Sequence, residues 1–251
     1  MSNIDNENME KSTNEYSIDS NKYKIIEYNN DDDEENMKED ELIYKVILIG
    51  DQNVGKTSII QKLVTKYFNK KYNSTIGFDI FYYRAKINDK IIKLNIWDTC
   101  GIQDFFSCTK NIFTDVALSI IAYSIDNRVS FDNLENWINT LKQNSSPNVL
   151  KFIVGNKCDL EDERQVQKEE GEKFKKDNNY NFFIETSAKD DKFVSELFEN
   201  AIVQLYELNK LMEEKDGDEL KIDFKRRKSF VINGKIQQNE MKNNNNNNCN
   251  C

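Results

Sequence analysis

A lysine and a threonine behind two spaced glycines are the residues with the clearest chemistry in this chain. Residues 50–58 have the spacing G-x-x-x-x-G-K-T, an apolar run precedes them and a helical pattern follows. In that context the glycines turn backbone N–H groups inward, and the helix dipole favours an anion. The lysine can reach β- and γ-phosphates, and the threonine hydroxyl can bind Mg²⁺. The alternative is a glycine turn with a surface lysine. The predicted phosphate-binding residues are Asp51, Gln52, Asn53, Val54, Gly55, Lys56, Thr57 and Ser58.

A second motif, Asn156-Lys157-Cys158-Asp159, predicts which base is bound. The Asp159 carboxylate can accept hydrogen bonds from the N1–H and the exocyclic amine of guanine, whereas adenine would leave a buried charge unpaired. Asn156 can bridge towards the phosphate loop, and the stem of Lys157 can cover the base. A later stretch, 185–189, can offer backbone N–H groups to the guanine oxygen. Its predicted contact residues are Ser187, Ala188 and Lys189.

Three further residues are predicted to serve the metal ion and the γ-phosphate. Asp98 closes an apolar run and is placed to hold Mg²⁺ through water. Thr75 is a second candidate hydroxyl ligand beside Thr57, and Gly101 can offer its N–H to the γ-phosphate. Loops of this kind are ordered only while γ-phosphate and Mg²⁺ are present.

The predicted elements place each motif directly after a strand. Strands are expected at 45–49, 78–87, 91–97, 116–123, 150–154 and 181–184, with a hairpin turn at 88–90. Helices are expected at 56–68, 131–143, 164–176 and 189–211. Alternating strands and helices indicate βαβ units and a largely parallel sheet, on which ligands lie at the carboxyl ends of the strands. One face of the last helix is expected to carry Phe193, Leu197, Phe198, Ala201, Ile202, Leu205 and Leu208.

Composition divides the 251 residues into three parts. Residues 1–42 carry 14 acidic and 4 basic side chains, so their net charge of −10 exceeds that of the whole chain, −9. Such a segment is expected to be a disordered acidic extension. Residues 43–211 are expected to form the nucleotide-binding domain, and residues 212–251 a flexible tail ending in Cys249-Asn250-Cys251. The acidity argues against a nucleic-acid partner.

The absence of histidine excludes Ser-His and Cys-His nucleophiles and every His-ligated metal site. Five cysteines are too few for a disulfide scaffold, and neither a signal peptide nor a membrane-spanning run is found. A reducing, cytosolic setting is therefore expected.

Together these motifs resemble the small Ras-like GTPases, and within them the Rab family, over residues 44–211. The resemblance rests on the phosphate loop, on residues 74–79, 93–99, 156–160 and 185–189, and on the terminal Cys-x-Cys. It implies an α/β P-loop small-GTPase fold, a mostly parallel six-stranded sheet with helices on both faces. It also implies a GTPase that uses GTP/GDP and Mg²⁺ as a switch in vesicle traffic.

Further roles are implied by the same resemblance. Phe68 would lie against guanine and Tyr72 would arch over the phosphates, while residues 76–80 and the segment after Gly101 would meet effectors. Partners would be a guanine-nucleotide exchange factor, a GTPase-activating protein, a Rab escort protein and a GDP-dissociation inhibitor. Cys249 and Cys251 would carry prenyl groups on the cytosolic face of an endomembrane, since two lipid chains anchor stably where one does not.

The chain departs from the family where a catalytic glutamine is usual. Ile102 stands after Gly101 and cannot orient the attacking water, which that glutamine does in the Ras scheme. The neighbouring Gln103 is a possible substitute. We expect intact binding with slow intrinsic hydrolysis; a GTP-locked binding module and a P-loop ATPase are the alternatives. Gln52 and Asn53 also stand where many Rab proteins have small residues. Residues 112–116 stand where the family usually has Tyr-Tyr-Arg-Gly-Ala.

Overall fold

The computed structural model describes residues 23–27, 41–70, 74–103 and 110–214. In these ranges seven strands form one sheet with the order β1-β3-β4-β2-β5-β6-β7. Neighbours are parallel from β4 through β2, β5 and β6 to β7, and the β1–β3 and β3–β4 pairs are antiparallel. The strands are β1 Ile25–Glu27, β2 Glu41–Ile49, β3 Phe78–Ile87, β4 Lys90–Thr99, β5 Val116–Ser124, β6 Leu150–Asn156 and β7 Phe182–Thr186.

Helices pack on both faces of this sheet. They are α1 Lys56–Thr65, α2 Arg128–Asp132, α3 Leu134–Asn144, α4 Lys168–Asp177 and α5 Val194–Glu214, with 3₁₀ turns at Lys110–Phe113 and Glu161–Glu163. One core lies between the sheet and helices α1 and α5, and the other between the sheet and the α2–α3 pair. Because both faces are covered, the interior strand β5 is buried along its whole length. No helix within the described ranges combines the length and apolar character needed to cross a bilayer.

The hairpin prediction is confirmed, since Ile87 and Lys90 pair across a two-residue turn in which Asn88 has φ 53°. The first helix is shorter than predicted and ends at Thr65. Lys66 adopts a left-handed conformation there and its N–H bonds to Lys62, so Phe68 lies outside the helix.

The helix predicted at 131–143 is instead two helices that meet at Asn133. Asn127 caps the first one by accepting from Ser130 N–H, which moves its start forward to Arg128. The helix predicted at 164–176 begins at Lys168, because Glu170 reaches back to the Gln167 N–H and sets the start there.

Phe193 was expected on the buried face of the last helix, and that prediction is wrong. The helix begins at Val194, and Phe193 has φ 59° and a ring that is 54% exposed. Leu208 is half-buried. The residues of that face that are buried as predicted are Leu197, Phe198, Ala201, Ile202 and Leu205.

The N-terminal part also differs from its expected disorder. Ile25–Glu27 forms a seventh strand on the β3 edge, and β2 begins at Glu41. The six-stranded prediction missed β1 because three residues of an acidic segment carry too little periodicity to be recognised. At the other end, α5 continues to Glu214, three residues past the expected domain end.

Candidate nucleotide-binding site

The phosphate loop joins β2 to α1 through three residues with positive φ. Gly50, Asn53 and Gly55 have φ 139°, 64° and 93°. A Cβ at Gly50 would overlap the carbonyl oxygen of Ala122, and one at Gly55 would overlap the side-chain amide of Asn156. The loop therefore lies so close to β5 and β6 that only glycine fits at these two points.

Lys56 is 4% exposed and lies at the centre of this loop. Its Nζ donates to the carbonyl oxygens of Gly50 at 2.9 Å and Asp51 at 2.7 Å. Burial lowers the pKa of Lys56 to about 8, against the opposing influence of Asp98. A Cβ at Gly101 would lie 2.5 Å from this Nζ, so the Gly101 backbone and the ammonium group face the same space. A phosphate there would offset the desolvation of the ammonium group.

Three oxygen-bearing side chains meet at the start of α1. The Thr57 hydroxyl donates to Asp98 Oδ2 at 2.6 Å and lies 2.9 Å from the Thr75 hydroxyl, which is itself 3.2 Å from Asp98 Oδ2. Asp98 is fully buried, and its Oδ1 has no hydrogen-bond partner among the described residues. Burial raises the pKa of this carboxyl, while the bond from Thr57 opposes the rise. Mg²⁺ prefers such oxygen donors, so this cluster fits the ion.

A cavity of about 320 Å³ lies beside the loop. Asp159 borders it with a fixed carboxylate, because Ser187 Oγ donates to Oδ1 at 2.6 Å and Lys189 Nζ to Oδ2 at 3.2 Å. Partial burial raises the pKa of Asp159, yet these hydrogen bonds bring it below the ordinary value. The carboxylate is thus charged near neutral pH. The cavity lining is Asn53, Gly55, Ser58, Phe68, Asn69, Lys70, Asn156, Lys157, Asp159, Leu160, Ala188 and Lys189.

Asn156 joins the base side of the site to the phosphate side. Its Nδ2 donates to the Val54 carbonyl at 2.9 Å, and its Oδ1 accepts from Thr186 at 3.1 Å. The expected bridge is therefore present. Lys157 borders the cavity and has φ 64°, and its Nζ lies 3.6 Å from Asp126 Oδ2.

Asp51 is held by helix α3, which the sequence reasoning missed. Asp51 Oδ2 accepts from Asn133 at 2.7 Å and Oδ1 from the indole of Trp137 at 2.7 Å. Neither donor belongs to a recognised nucleotide motif, and each lies more than 80 positions away. The apolar residues around Trp137 predict only a core position.

Gly101 is buried with φ 78°, while Ile102 is 46% exposed and Gln103 is also exposed. The Cys100 N–H donates to the Gly77 carbonyl at 3.0 Å, which ties this segment to the one that carries Thr75. Beyond it, Phe78 stacks on Trp97 and Ile76 is 94% exposed. Gln52 is exposed.

The predictions for Tyr72, Cys249 and Cys251 lie outside the described residues.

Comparison with known proteins agrees with this geometry. The Ras family model matches residues 45–207. Ras-related protein Rab-13 of Bos taurus is 40% identical over 156 residues, which are 62% of this chain and 76% of the relative. Ras-related protein Rab-8B of Homo sapiens is 41% identical over 156 residues, 62% and 75% of the two chains. Ras-related protein Rab-8A of Bos taurus is 42% identical over 147 residues, 59% and 70%. The chain belongs to the Rab family of Ras-like small GTPases.

As a Rab protein it is a GTPase that uses GTP, GDP and Mg²⁺ and switches between nucleotide states in membrane traffic. Exchange factors, activating proteins, dissociation inhibitors and effectors regulate Rab proteins in general, which associate with the cytosolic face of membranes through lipid anchors. The GTP-locked module is not favoured, and membership of a GTPase family also disfavours the ATPase alternative.

Proposed function

We propose that this Rab protein binds guanine nucleotides with Asp159 facing the base and the loop 51–58 around the phosphates. The carboxylate fixed by Ser187 and Lys189 at the cavity wall is the observation that carries the proposal. Ala188 and Lys189 border the same cavity and are placed to meet the guanine oxygen. Lys157 and Phe68 also border the cavity and would flank the base.

Thr57, Thr75 and Asp98 would hold Mg²⁺, which when bound neutralises charge on the β- and γ-phosphates. Their mutual distances of 2.6 to 3.2 Å support this assignment. Thr75 reaches the cluster from a loop, whereas Thr57 and Asp98 stand at the ends of α1 and β4. Loss of γ-phosphate would therefore release Thr75 first, and the residues 76–80 that follow it would change their exposure to effectors.

Intrinsic hydrolysis is slow in this proposal because Ile102 has neither donor nor acceptor for the attacking water. Ile102 follows Gly101, whose backbone faces Lys56 Nζ, and this supports its assignment to the position of the water-orienting glutamine. In this proposal Gln103, which is exposed one residue further on, does not take over that role. An activating protein that brings its own glutamine would restore turnover.

Single-turnover hydrolysis of preloaded GTP tests this part. We expect Ile102→Gln to accelerate hydrolysis by roughly tenfold or more, the scale of a positioned catalytic group. Gln103→Ala is the matched control and should leave the wild-type rate unchanged. A wild-type rate that Ile102→Gln does not alter, or one that Gln103→Ala abolishes, would contradict the proposed roles.

Residues 215–251 would act as a tether that ends in prenylated Cys249 and Cys251. Two lipid chains hold a protein at a membrane where one gives marginal binding. A Rab escort protein and a GDP-dissociation inhibitor would handle the lipids, and residues 76–80 with the segment after Gly101 would bind effectors on an endomembrane. Tagged Cys249→Ser, Cys251→Ser and the double variant should become progressively cytosolic. Asn250→Ser, which changes the residue between the two cysteines and keeps both thiols, is the control, and membrane retention of the double variant would refute the anchor.

A further inference from the structure

Residues 23–27, here called the strap, extend the sheet by one short strand. Ile25, Ile26 and Glu27 pair antiparallel with Ile87, Lys86 and Ala85 at the outer edge of β3. The strap lies outside residues 45–207, the part that the Ras family model matches. Its contacts are therefore additions to the nucleotide-binding domain.

The strap is packed as well as paired. Ile25 and Tyr23 lie against the core beneath α1 and α5, while Ile26 points outward and is 49% exposed. The Tyr23 ring meets the edge of Tyr206 with centroids 5.7 Å apart, and its hydroxyl donates to the Glu207 carboxylate. Half-buried Tyr23 and Ile25 alternate with exposed Lys24 and Ile26, and with the anchors on α5 this gives the strap one register on the body.

The last residue of the strap reaches the end of helix α1. Glu27 Oε1 lies 2.7 Å from Lys66 Nζ. Lys66 is the C-cap residue directly after the helix and has φ 60°, a conformation that non-glycine residues adopt rarely. Its carbonyl also accepts from Lys62 Nζ at 2.9 Å. The strap thus holds the residue at which the chain turns away from α1.

That turn leads directly into a wall of the nucleotide cavity. Phe68, Asn69 and Lys70, which follow Lys66 by two to four positions, all border the cavity. Helix α1 carries Lys56 and Thr57 at its other end. These three residues are called here the 68–70 wall, and the chain enters the wall from the left-handed turn at Lys66. The Glu27–Lys66 pair therefore lies at the entry to the wall.

We propose that the strap acts in cis as a brake on the release of guanine nucleotide, by holding the 68–70 wall at Lys66. This inference rests on the proposed binding of the base in that cavity. The strap does not touch the ligand, so Glu27 is a positioning residue. The coupling is energetic: wall opening that permits release must also break the ion pair and loosen the strand pairing.

Release of fluorescently labelled GDP from the full-length chain, chased with unlabelled GDP, measures the brake. Glu27→Gln and Lys66→Gln should each accelerate release by roughly two- to fivefold, the range that an exposed ion pair supports. The double variant Glu27→Lys with Lys66→Glu should return the rate towards wild type. Glu169→Gln, the same charge change on an exposed residue of α4, should not change it.

Packing of the strap is tested separately. Ile25→Ser should accelerate release by roughly fivefold or more, whereas the outward-facing Ile26→Ser should not. Thermal unfolding of each variant separates a brake from general loosening, because the Gln variants should speed release with little change in melting temperature. Equal rates of GDP release from wild type, Ile25→Ser and Glu27→Gln would overturn the proposed brake and leave the proposed function standing. Failure of the wild type to bind labelled GDP would overturn the proposed function and the strap with it.

Discussion

The indole N–H of Trp137 donates a 2.7 Å hydrogen bond to the carboxylate of Asp51, and so ties helix α3 to the phosphate loop. The backbone carbonyl oxygen of Asp51 also accepts a hydrogen bond from Lys56 Nζ at 2.7 Å. The side chain and backbone of one loop residue therefore connect helix α3 with the ammonium group at the centre of the loop. Trp137 is fully buried, so the loop is positioned from inside the core.

Trp137→Phe should weaken this connection without opening a large cavity. The loss of a hydrogen bond to a charged group is expected to lower the free energy of unfolding by about 2 kcal/mol, and to speed GDP release. Urea denaturation and labelled-GDP release measure the two effects. Trp97→Phe, at the other tryptophan of the chain, should leave release unchanged. Equal release from wild type and Trp137→Phe would show that the bond does not position the loop.

Asp159→Asn should change which base is bound. The amide has only one acceptor oxygen and no charge, so affinity for GDP is expected to fall by about a hundredfold. Its N–H₂ can donate to a base that carries oxygen at C2, and affinity for xanthine nucleotides should rise. Competition binding with GDP, XDP and ADP measures the order of preference. Asp162→Asn, on the exposed turn that follows, is the control, and unchanged GDP affinity in Asp159→Asn would refute the assignment.

Phe193→Asn should stabilise the protein. Phe193 has φ 59°, a left-handed conformation that is strained for phenylalanine. Because the residue is 54% exposed, burial of its ring offsets little of this strain. Asparagine tolerates the left-handed conformation better than phenylalanine does, so a gain of about 1 kcal/mol in the free energy of unfolding is expected. Urea denaturation measures it. Tyr67→Asn, which removes an exposed ring elsewhere, should give no gain, and a loss in Phe193→Asn would indicate that the ring stabilises the fold.

Lys45→Met should remove a pH dependence of stability. Lys45 Nζ lies 4.0 Å from the Trp97 ring centre and donates to the Thr114 carbonyl, and burial lowers its pKa from 10.5 to about 8. Between those values the unfolded chain keeps the proton that the native state has lost, so native stability rises with pH. Relative to Lys45→Met, the wild type should gain on the order of 3 kcal/mol across this window. Urea denaturation at pH 7.5 and pH 10.5 measures the difference, and a constant difference would contradict the shift.

The local sequence determined the motifs and the elements that precede them. Each nucleotide motif lies at the carboxyl end of a strand. The phosphate loop follows β2, Asn156–Asp159 begins at the last residue of β6, and Ser187–Lys189 follows β7. Because these strands are parallel, their carboxyl ends meet at one edge of the sheet. The β3–β4 hairpin was equally readable, because its turn and alternation are local. Helix ends were predicted less well. Lys66 follows α1, Asn133 joins α2 to α3, and Gln167 precedes α4. Individual hydrogen bonds set these ends, and the apolar period does not encode them.

Only the tertiary structure decided which distant residues support the site. The sequence pattern predicts only helix positions for Trp137 and Asn133, and the fold brings both to Asp51. The pattern likewise predicts a surface position for Lys66, and only the structure shows its ion pair with Glu27. The meeting of Thr57, Thr75 and Asp98 likewise depends on three separate elements. A motif fixes chemistry through short spacing along the chain, whereas these contacts depend on packing between residues far apart in sequence, and sequence pattern carries little information about such pairs.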